Sequence, residues 1–124
     1  NLASTISLIV AQRLARRLCE HCKESVEIPE KTLAELGLSA ELHPNSRFFR
    51  AKGCADCRDG FRGRIGFYEV VPVSKSLSRI IMEGGRTQRF RKHMKKHGLL
   101  DLRQAALLKV AQGLTSLEEA NRLT

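Results

Sequence analysis

Tryptophan is absent, tyrosine occurs once and phenylalanine five times in 124 residues. A core built mainly on aromatic rings is therefore excluded, as is a ladder of rings on which single-stranded bases could stack. Acidic residues are scarce beside basic ones, 13 against 22, leaving a formal net charge of +9. No apolar run approaches the ~20 residues that a membrane helix needs. The longest, residues 2–11, carries Ser4, Thr5 and Ser7 and gives way to Gln12 and Arg13. Its arginines follow the apolar residues, the reverse of the charge order in a secretion signal, so nothing marks the chain for export. There is no internal repeat, low-complexity tract or Pro/Ser-rich linker. The chain opens on Asn1 rather than Met, and a periodic pattern is already under way there, which leads us to expect a piece of a longer protein.

With 42% hydrophobic and 28% charged residues, the composition suits one globular domain or two small ones. At this length folding buries roughly two-thirds of the unfolded chain's surface, a thin margin for a loop-rich, polar sequence, and four cysteines are available as a staple. They form two C-x-x-C knuckles, Cys19-Glu20-His21-Cys22 and Cys54-Ala55-Asp56-Cys57, with 31 residues between them. Two intervening residues let both thiolates of a knuckle turn toward one ion, and two knuckles complete the tetrahedral four-thiolate shell of structural zinc. Two disulfides are the rival in an oxidising compartment, and unligated thiols the plain alternative. A thiol-disulfide enzyme would need one pair exposed and reactive. Four thiolates leave no open coordination position, so a zinc here, one per chain, would be structural and would supply stability that the core lacks. His21 and His43 could each replace a cysteine, but four cysteines make this unnecessary.

In residues 1–18 the apolar side chains Ile6, Ile9, Val10, Leu14 and Leu18 recur mostly three or four apart, which predicts an amphipathic helix. Arg13, Arg16 and Arg17 in its last turns suit the negative end of a helix dipole, or are available for a contact. Pro29 and Gly37 bracket a short helix over 30–36 between irregular connections. Gly53, Gly60, Gly63 and Gly66 read as turn chemistry. Residues 65–73, with Phe67, Tyr68, Val70 and Val71, form the strand candidate, which Pro72 confines to an edge or ends. Four short helices follow. Ser74 caps one carrying Leu77, Ile80 and Ile81 up to Gly84-Gly85. Thr87 caps one carrying Phe90 and Met94 up to Gly98. Asp101 caps one carrying Leu102, Ala105, Leu108 and Val110 up to Gly113, and Thr115-Ser116-Leu117-Glu118 opens the last with the spacing of a capping box.

Residues 86–96 hold six basic side chains and no acidic one. With Phe90 and Met94 turned inward, Arg89, Lys92, Lys95 and Lys96 would form a positive outer surface able to meet phosphates. A zinc-stabilised nucleic-acid-binding module is therefore the alternative function, although the chain has no C2H2 finger and no ring ladder. His93 and His97, four apart on this lysine-rich helix, could face a metal together, but a solvated face is the expectation. Catalysis has no foothold. No G-x-x-x-x-G-K-[ST] phosphate loop is present, since Gly60-Phe61-Arg62-Gly63 and Gly84-Gly85-Arg86 lack its spacing and its lysine. Neither a G-x-S-x-G turn nor an H-E-x-x-H helix occurs. We expect no catalytic or nucleotide-binding residue in this chain alone.

Taken in order, Ala11-Gln-Arg-Leu-Ala-Arg-Arg-Leu-Cys19, Gly53-Cys-Ala-Asp-Cys57, Gly60-Phe-Arg-Gly-Arg-Ile-Gly-Phe-Tyr-Glu69, Leu102-Arg-Gln104 and Gly113-Leu-Thr-Ser-Leu-Glu-Glu119 resemble the C-terminal end of the secretion traffic ATPases, those of type II secretion and type IV pilus assembly. The likeness covers essentially the whole chain. It implies a C-terminal fragment of a RecA-like hexameric motor, cytoplasmic and peripheral at the bacterial inner membrane, whose missing core holds ATP and magnesium. It also implies that Cys19, Cys22, Cys54 and Cys57 match the family's tetracysteine zinc motif. Because retraction-type pilus ATPases generally lack that motif, an assembly or secretion motor is favoured, and residues 102–119 look somewhat more like the pilus branch. Gln12 and Arg13 match a family motif near the subunit interface. The family often has Gly where this chain has Ala106, a better helix former, and no functional consequence is expected. The implied partners are the other subunits of the hexamer and an inner-membrane platform protein, with possible contact to the membrane surface and no nucleic acid. The expected architecture is α+β and mostly helical: residues 1–18 as a terminal helix of the motor core, 19–66 as the zinc subdomain, and 67–124 as a short strand with a small helical bundle.

Overall fold

The computed structural model describes residues 7–72, 78–79, 82 and 88–124, with the backbone alone at 7–10. In chain order the elements are β1 (Ser7–Leu18), β2 (Glu24–Ser25), α1 (Glu30–Glu35), β3 (Phe49–Arg50), β4 (Phe61–Pro72), α2 (Gln88–Lys96), α3 (Leu102–Ala111) and α4 (Leu117–Leu123). β1 and β4 make an antiparallel ribbon with Ser7 opposite Pro72 and Leu18 opposite Phe61, and β2 and β3 make a second, minimal pair. The Ser74-capped helix expected around Leu77, Ile80 and Ile81, and the Thr87 cap, lie largely or wholly outside the described residues.

Residues 7–18 are a strand, not the amphipathic helix that their spacing predicts. The reason lies in the register of the ribbon, which slips between Ile9 and Ala11 and again between Arg16 and Leu18. Each slip rotates the following residues relative to the pleat. Ala15 and Leu18 are consequently both buried although three apart, while Leu14, expected on the apolar face, is 58% exposed. Irregular strand geometry has thus produced helix-like spacing. The three arginines also lose their helix-end role, and Arg16 has a different partner, described below.

β4 begins four residues earlier than predicted, so Gly63 and Gly66 belong to the strand rather than to a turn. Gly63, at φ +81°, takes the left-handed conformation where an extra residue enters β4 between the partners of Leu18 and Arg16. At Gly66 the missing side chain makes room for the Tyr68 ring, whose Oη would lie 2.6 Å from an added Cβ. The described part of the ladder runs as far as Pro72.

The inner face of the ribbon supplies Ala15 and Phe67 to a core shared with Leu33 and Leu38, with Ala106, Leu107, Val110 and Ala111 of α3, and with Ala120 of α4. Four alanines in this set let backbones approach closely around one large ring. α3 packs on β4, and α4 packs on both α3 and β1. These helices are layered on the ribbon rather than forming a separate bundle, and the two twelve-residue strands make the α+β mixture more even than the mostly helical arrangement anticipated.

Phe90 and Met94 dock α2 on Val71, and Arg89, Lys92, Lys95 and Lys96 are exposed, as the helical pattern requires. His93 departs from expectation, for it is buried, with its ring centroid 4.5 Å from that of His97. Burial, reinforced by the nearby His97 and Lys96, lowers its pKa. α1 runs over the predicted span, with Pro29 as its N-cap and Gly37 at φ +76° after its end.

Asp101 caps α3 in a full box. Its Oδ1 accepts the Gln104 N–H at 2.8 Å, and the Gln104 side-chain oxygen accepts the Asp101 N–H at 2.9 Å. Asp101→Ala should destabilise the chain by about 1 kcal/mol, read as a melting temperature about 4 °C lower. The last cap is shifted by one residue from the predicted Thr115–Glu118 box: Ser116 accepts the Glu119 N–H at 3.1 Å. Thr115 instead donates its hydroxyl to the Arg16 carbonyl at 2.8 Å.

Candidate metal centre

The pairing of β1 with β4 brings the two knuckles together. Cys19 directly follows β1, and its N–H donates to the Gly60 carbonyl at 2.9 Å, while the Lys23 N–H donates to the Cys19 carbonyl at 3.0 Å and closes the first knuckle's turn. Cys57 directly precedes a hairpin in which Arg58 and Phe61 exchange backbone hydrogen bonds of 2.9 and 3.0 Å. Asp59 and Gly60 at its tip have φ +55° and +95°, the Asp-Gly pair that such a primed turn demands. That hairpin feeds β4, so the end of one strand and the start of the other each deliver a C-x-x-C to the same point.

There the Sγ atoms of Cys19, Cys22, Cys54 and Cys57 all lie within 4.8 Å of one another. Cys19 and Cys54 are 3.8 Å apart, Cys22 and Cys57 3.7 Å, and Cys54 and Cys57 3.5 Å. Four sulfurs at about 2.3 Å from a tetrahedral ion are separated by about 3.8 Å. None of the four is in a disulfide. The cluster can hold one metal ion, and its all-sulfur donor set suits zinc.

Backbone donors reinforce the sulfurs: the Gly53 N–H points at Cys22 Sγ at 3.3 Å and the Cys54 N–H at Cys57 Sγ at 3.2 Å. At Cys57, burial raises the pKa, but donation from the Cys54 N–H and thiol, the Gly60 N–H and the Cys22 thiol outweighs it, bringing the group down to about 7. At Cys54 the Asp56 N–H acts downward, yet the Cys57 sulfur, burial and the other two sulfurs push the group up to about 12. Cys22 is also raised: the Gly53 N–H lowers it, and burial with its Cys57 and Cys19 neighbours prevails. Crowded sulfurs thus resist sharing negative charge without a cation, and one of them ionises first.

Arg16, Arg58, Arg62 and Arg64 line a cleft beside Cys57, with the Arg16 guanidinium 4.1 Å from the centroid of the Phe61 ring. Four thiolates around a divalent ion would carry a net double negative charge, which arginines so placed would offset. His21 and His43 lie outside the sulfur cluster, and His93 with His97 gathers no third ligand. Among the described residues the four cysteines are the only such group.

Two anchors escape sequence inspection. The first joins the knuckles to the α3–α4 turn. Lys23 Nζ sits 4.4 Å from the centroid of the Phe49 ring and donates to the Gly113 carbonyl at 3.0 Å. Phe49 lies on Gly113, where a Cβ would come within 2.9 Å of the ring. Leu18 and Arg47 add backbone hydrogen bonds of 2.9 Å each to Leu114 and Ala111.

The second anchor is Glu119, 2% exposed. Its carboxylate accepts the Arg16 N–H at 2.9 Å, the Arg16 guanidinium at 2.8 Å and two Arg122 donors at 2.9 Å each. The Arg122 hydrogen bonds, helped by those of Arg16 and opposed by burial, hold this carboxyl at about 2. Ser116-Leu117-Glu118-Glu119 was a second capping-box frame overlapping the first, and was the available signal.

Gly60 is the most constrained position of the centre. Besides its positive φ, an added Cβ would stand 2.5 Å from the Ala51 Cβ and 2.9 Å from the Lys52 nitrogen. Gly60→Ala should destabilise the chain by about 2 kcal/mol or more and speed metal loss to a chelator, measured with a zinc-sensitive dye. The Gly63→Ala control meets nothing within 4 Å and faces only the cost of its φ.

The family model described as Type II/IV secretion system protein matches residues 1–122. The type IV pilus assembly ATPase PilB of Pseudomonas aeruginosa is 46% identical over 124 residues, covering 100% of this chain and 22% of its own length. PilB of Acinetobacter baylyi is 44% identical over 126 residues, covering 100% of this chain and 22% of itself. The type II secretion system protein E of Pseudomonas aeruginosa is 35% identical over 124 residues, covering 99% and 24%. The chain therefore spans less than a quarter of the length of these relatives. A family match over nearly every residue, a range that takes in the knuckles, the hairpin and the closing helices just described, places this chain in the Type II/IV secretion system protein family.

Proposed function

We propose that Cys19, Cys22, Cys54 and Cys57 bind one structural zinc ion, and that this chain is the zinc-clamped, force-transmitting C-terminal part of a hexameric ATPase serving type IV pilus assembly or type II secretion. ATP and magnesium belong to the remainder of the parent, and no catalytic residue is assigned here. The observation that carries the reading is the four-sulfur cluster at tetrahedral spacing where both ribbon ends meet the α3–α4 turn. Bound zinc would supply a rigid crosslink. Lys23, Phe49 and Gly113, together with the Glu119 clasp on Arg16, pass displacement of the ribbon to the closing helices without a hinge between them.

The outer face of the ribbon exposes Leu14 at 58%, Tyr68 at 47% and Val70 at 39%, an apolar strip suited to packing on the rest of the parent. Residues 1–18, now with a strand over 7–18, would join the motor core, 19–66 would be the zinc subdomain and 67–124 the strand and helical part. The likeness of residues 102–119 supports the pilus branch. No helix among the described residues is long and apolar enough to cross a membrane. The parent would work at the cytoplasmic face of the bacterial inner membrane, against its neighbouring subunits and a platform protein. The basic face of α2 would meet acidic protein loops or lipid head groups.

Metal analysis of the purified chain should return one zinc per chain, and a metal-free chain with four freely reactive thiols would defeat the zinc assignment. The full-length protein should hydrolyse ATP, whereas this chain alone should not. Titration with mixed oligonucleotides at physiological salt should show no micromolar binding. Tight, salt-sensitive binding would put a zinc-stabilised nucleic-acid module in its place.

A further inference from the structure

A cavity of about 650 Å³ opens between α2, the start of α3 and β4, within the size range of ligand-binding clefts. Phe90, Met94, Leu99 and Leu102 give it an apolar floor, and Arg91, Lys95 and Arg103 stand around it. Its two acidic side chains are already engaged at the start of α3: Asp101 Oδ1 accepts the Gln104 N–H at 2.8 Å, and Glu69 Oε1 accepts the Leu102 N–H at 3.1 Å. The cations are not matched in this way. Arg91 and Lys95 have no hydrogen-bond or ion-pair partner among the described residues, and Arg103 reaches only the Thr124 hydroxyl, at 3.1 Å.

We infer that this cavity receives an acidic segment of a partner protein, one apolar side chain entering the floor while flanking carboxylates engage Arg91, Lys95 and Arg103. Guanidinium forks pair with carboxylates in two parallel hydrogen bonds, which gives such a contact direction as well as charge. The concave apolar floor distinguishes this occupant from two others. A nucleic-acid backbone would match the cations but leave the floor unfilled. A bilayer surface is flat on this scale and would not enter. Binding here needs neither the metal nor a nucleotide, so it is separable from the motor assignment.

The chain has two methionines. Met94 lies in the cavity, and Met82, 87% exposed, serves as an internal control. The experiment titrates the metal-loaded chain, carrying ¹³C-methyl methionine, with a series of acidic nonapeptides bearing Phe, Leu, Ile, Met or Ser at the centre. Saturable shifts of the Met94 methyl with at least one apolar peptide are expected, with Met82 unmoved and the Ser peptide at least tenfold weaker. In the Arg91→Glu/Lys95→Glu double variant, whose positions are exposed, the fold should persist by circular dichroism while affinity falls at least tenfold. The inference is overturned if no peptide moves Met94, if the Ser peptide binds equally well, or if the double variant binds within twofold of the parent chain. It is also overturned if phosphatidylglycerol vesicles or an oligonucleotide saturate Met94 where the peptides do not.

Discussion

Cys19→Ser is expected to take bound zinc from one per chain to about none and to abolish the cooperative thermal transition of the chain. Structural zinc sites in small domains bind with about 10–16 kcal/mol, as much as or more than the net stability of an ordinary domain, about 5–15 kcal/mol. Cys19 is the most buried of the four cysteines, 1% exposed, with its N–H fixed to Gly60 and its sulfur 3.8 Å from that of Cys54. A serine hydroxyl there is a poor zinc ligand, and the burial of position 19 leaves a water little room to replace it. Cys54→Ser, at the exposed corner of the cluster, should weaken binding less. Stripping the wild-type chain with a strong chelator should reproduce the Cys19→Ser unfolding profile. A Cys19→Ser chain that retained zinc and melted within about 3 °C of the wild type would contradict a single closed four-thiolate centre.

Glu119→Gln should be strongly destabilising although it leaves the cysteines intact. Removing one partner of a buried ion pair typically costs about 3–5 kcal/mol. Here both guanidiniums are roughly half exposed, 50% for Arg16 and 55% for Arg122, and solvent screening reduces the expected loss to about 2–3 kcal/mol. For a chain of this size that is a melting temperature lower by about 10 °C. The pH dependence follows from the depressed carboxyl, at about 2 against an ordinary 4.5. A lowered folded-state pKa means that the stabilisation is fully present above about pH 4.5 and drains away as pH falls from there through about 2. The cysteines also take up protons in acid, so the diagnostic quantity is the difference between wild-type and Glu119→Gln stability. It should be constant above pH 5 and should shrink below it.

The gathering of the four cysteines was legible because its signal is local: two intervening residues turn both sulfurs of a knuckle the same way whatever surrounds them. The closing helices were legible for a related reason, since Asp101, Gly98 and Gly113 act on their immediate neighbours. β1 was not. Its inward residues depend on where the register slips against β4, and the partner strand lies more than forty residues away, so spacing alone favoured the wrong period. The same limit hid Glu119. Both Thr115 and Ser116 begin a plausible box, and the choice between them is made by Arg16, a hundred residues earlier, whose carbonyl takes the Thr115 hydroxyl and whose guanidinium takes the carboxylate. His93 was misjudged because a lysine-rich sequence says how a helix face is charged but not how deeply the helix sits.

The meeting of the knuckles at the open end of the ribbon also bears on how fast the chain can fold. β1 and β4 must find each other across the loop from 19 to 60, and closing a flexible loop of that length costs about 3 kcal/mol before any strand contact is gained. A metal ion captured by the four thiolates of the still-unfolded chain closes almost all of that loop in advance. The ribbon would then need only to zip away from Leu18 and Phe61 toward Ser7 and Pro72. With zinc in the cluster, metal supply would therefore set a rate as well as a stability: newly made chains in zinc-poor cells would linger with long, unpaired strand edges, the state from which β-rich proteins aggregate.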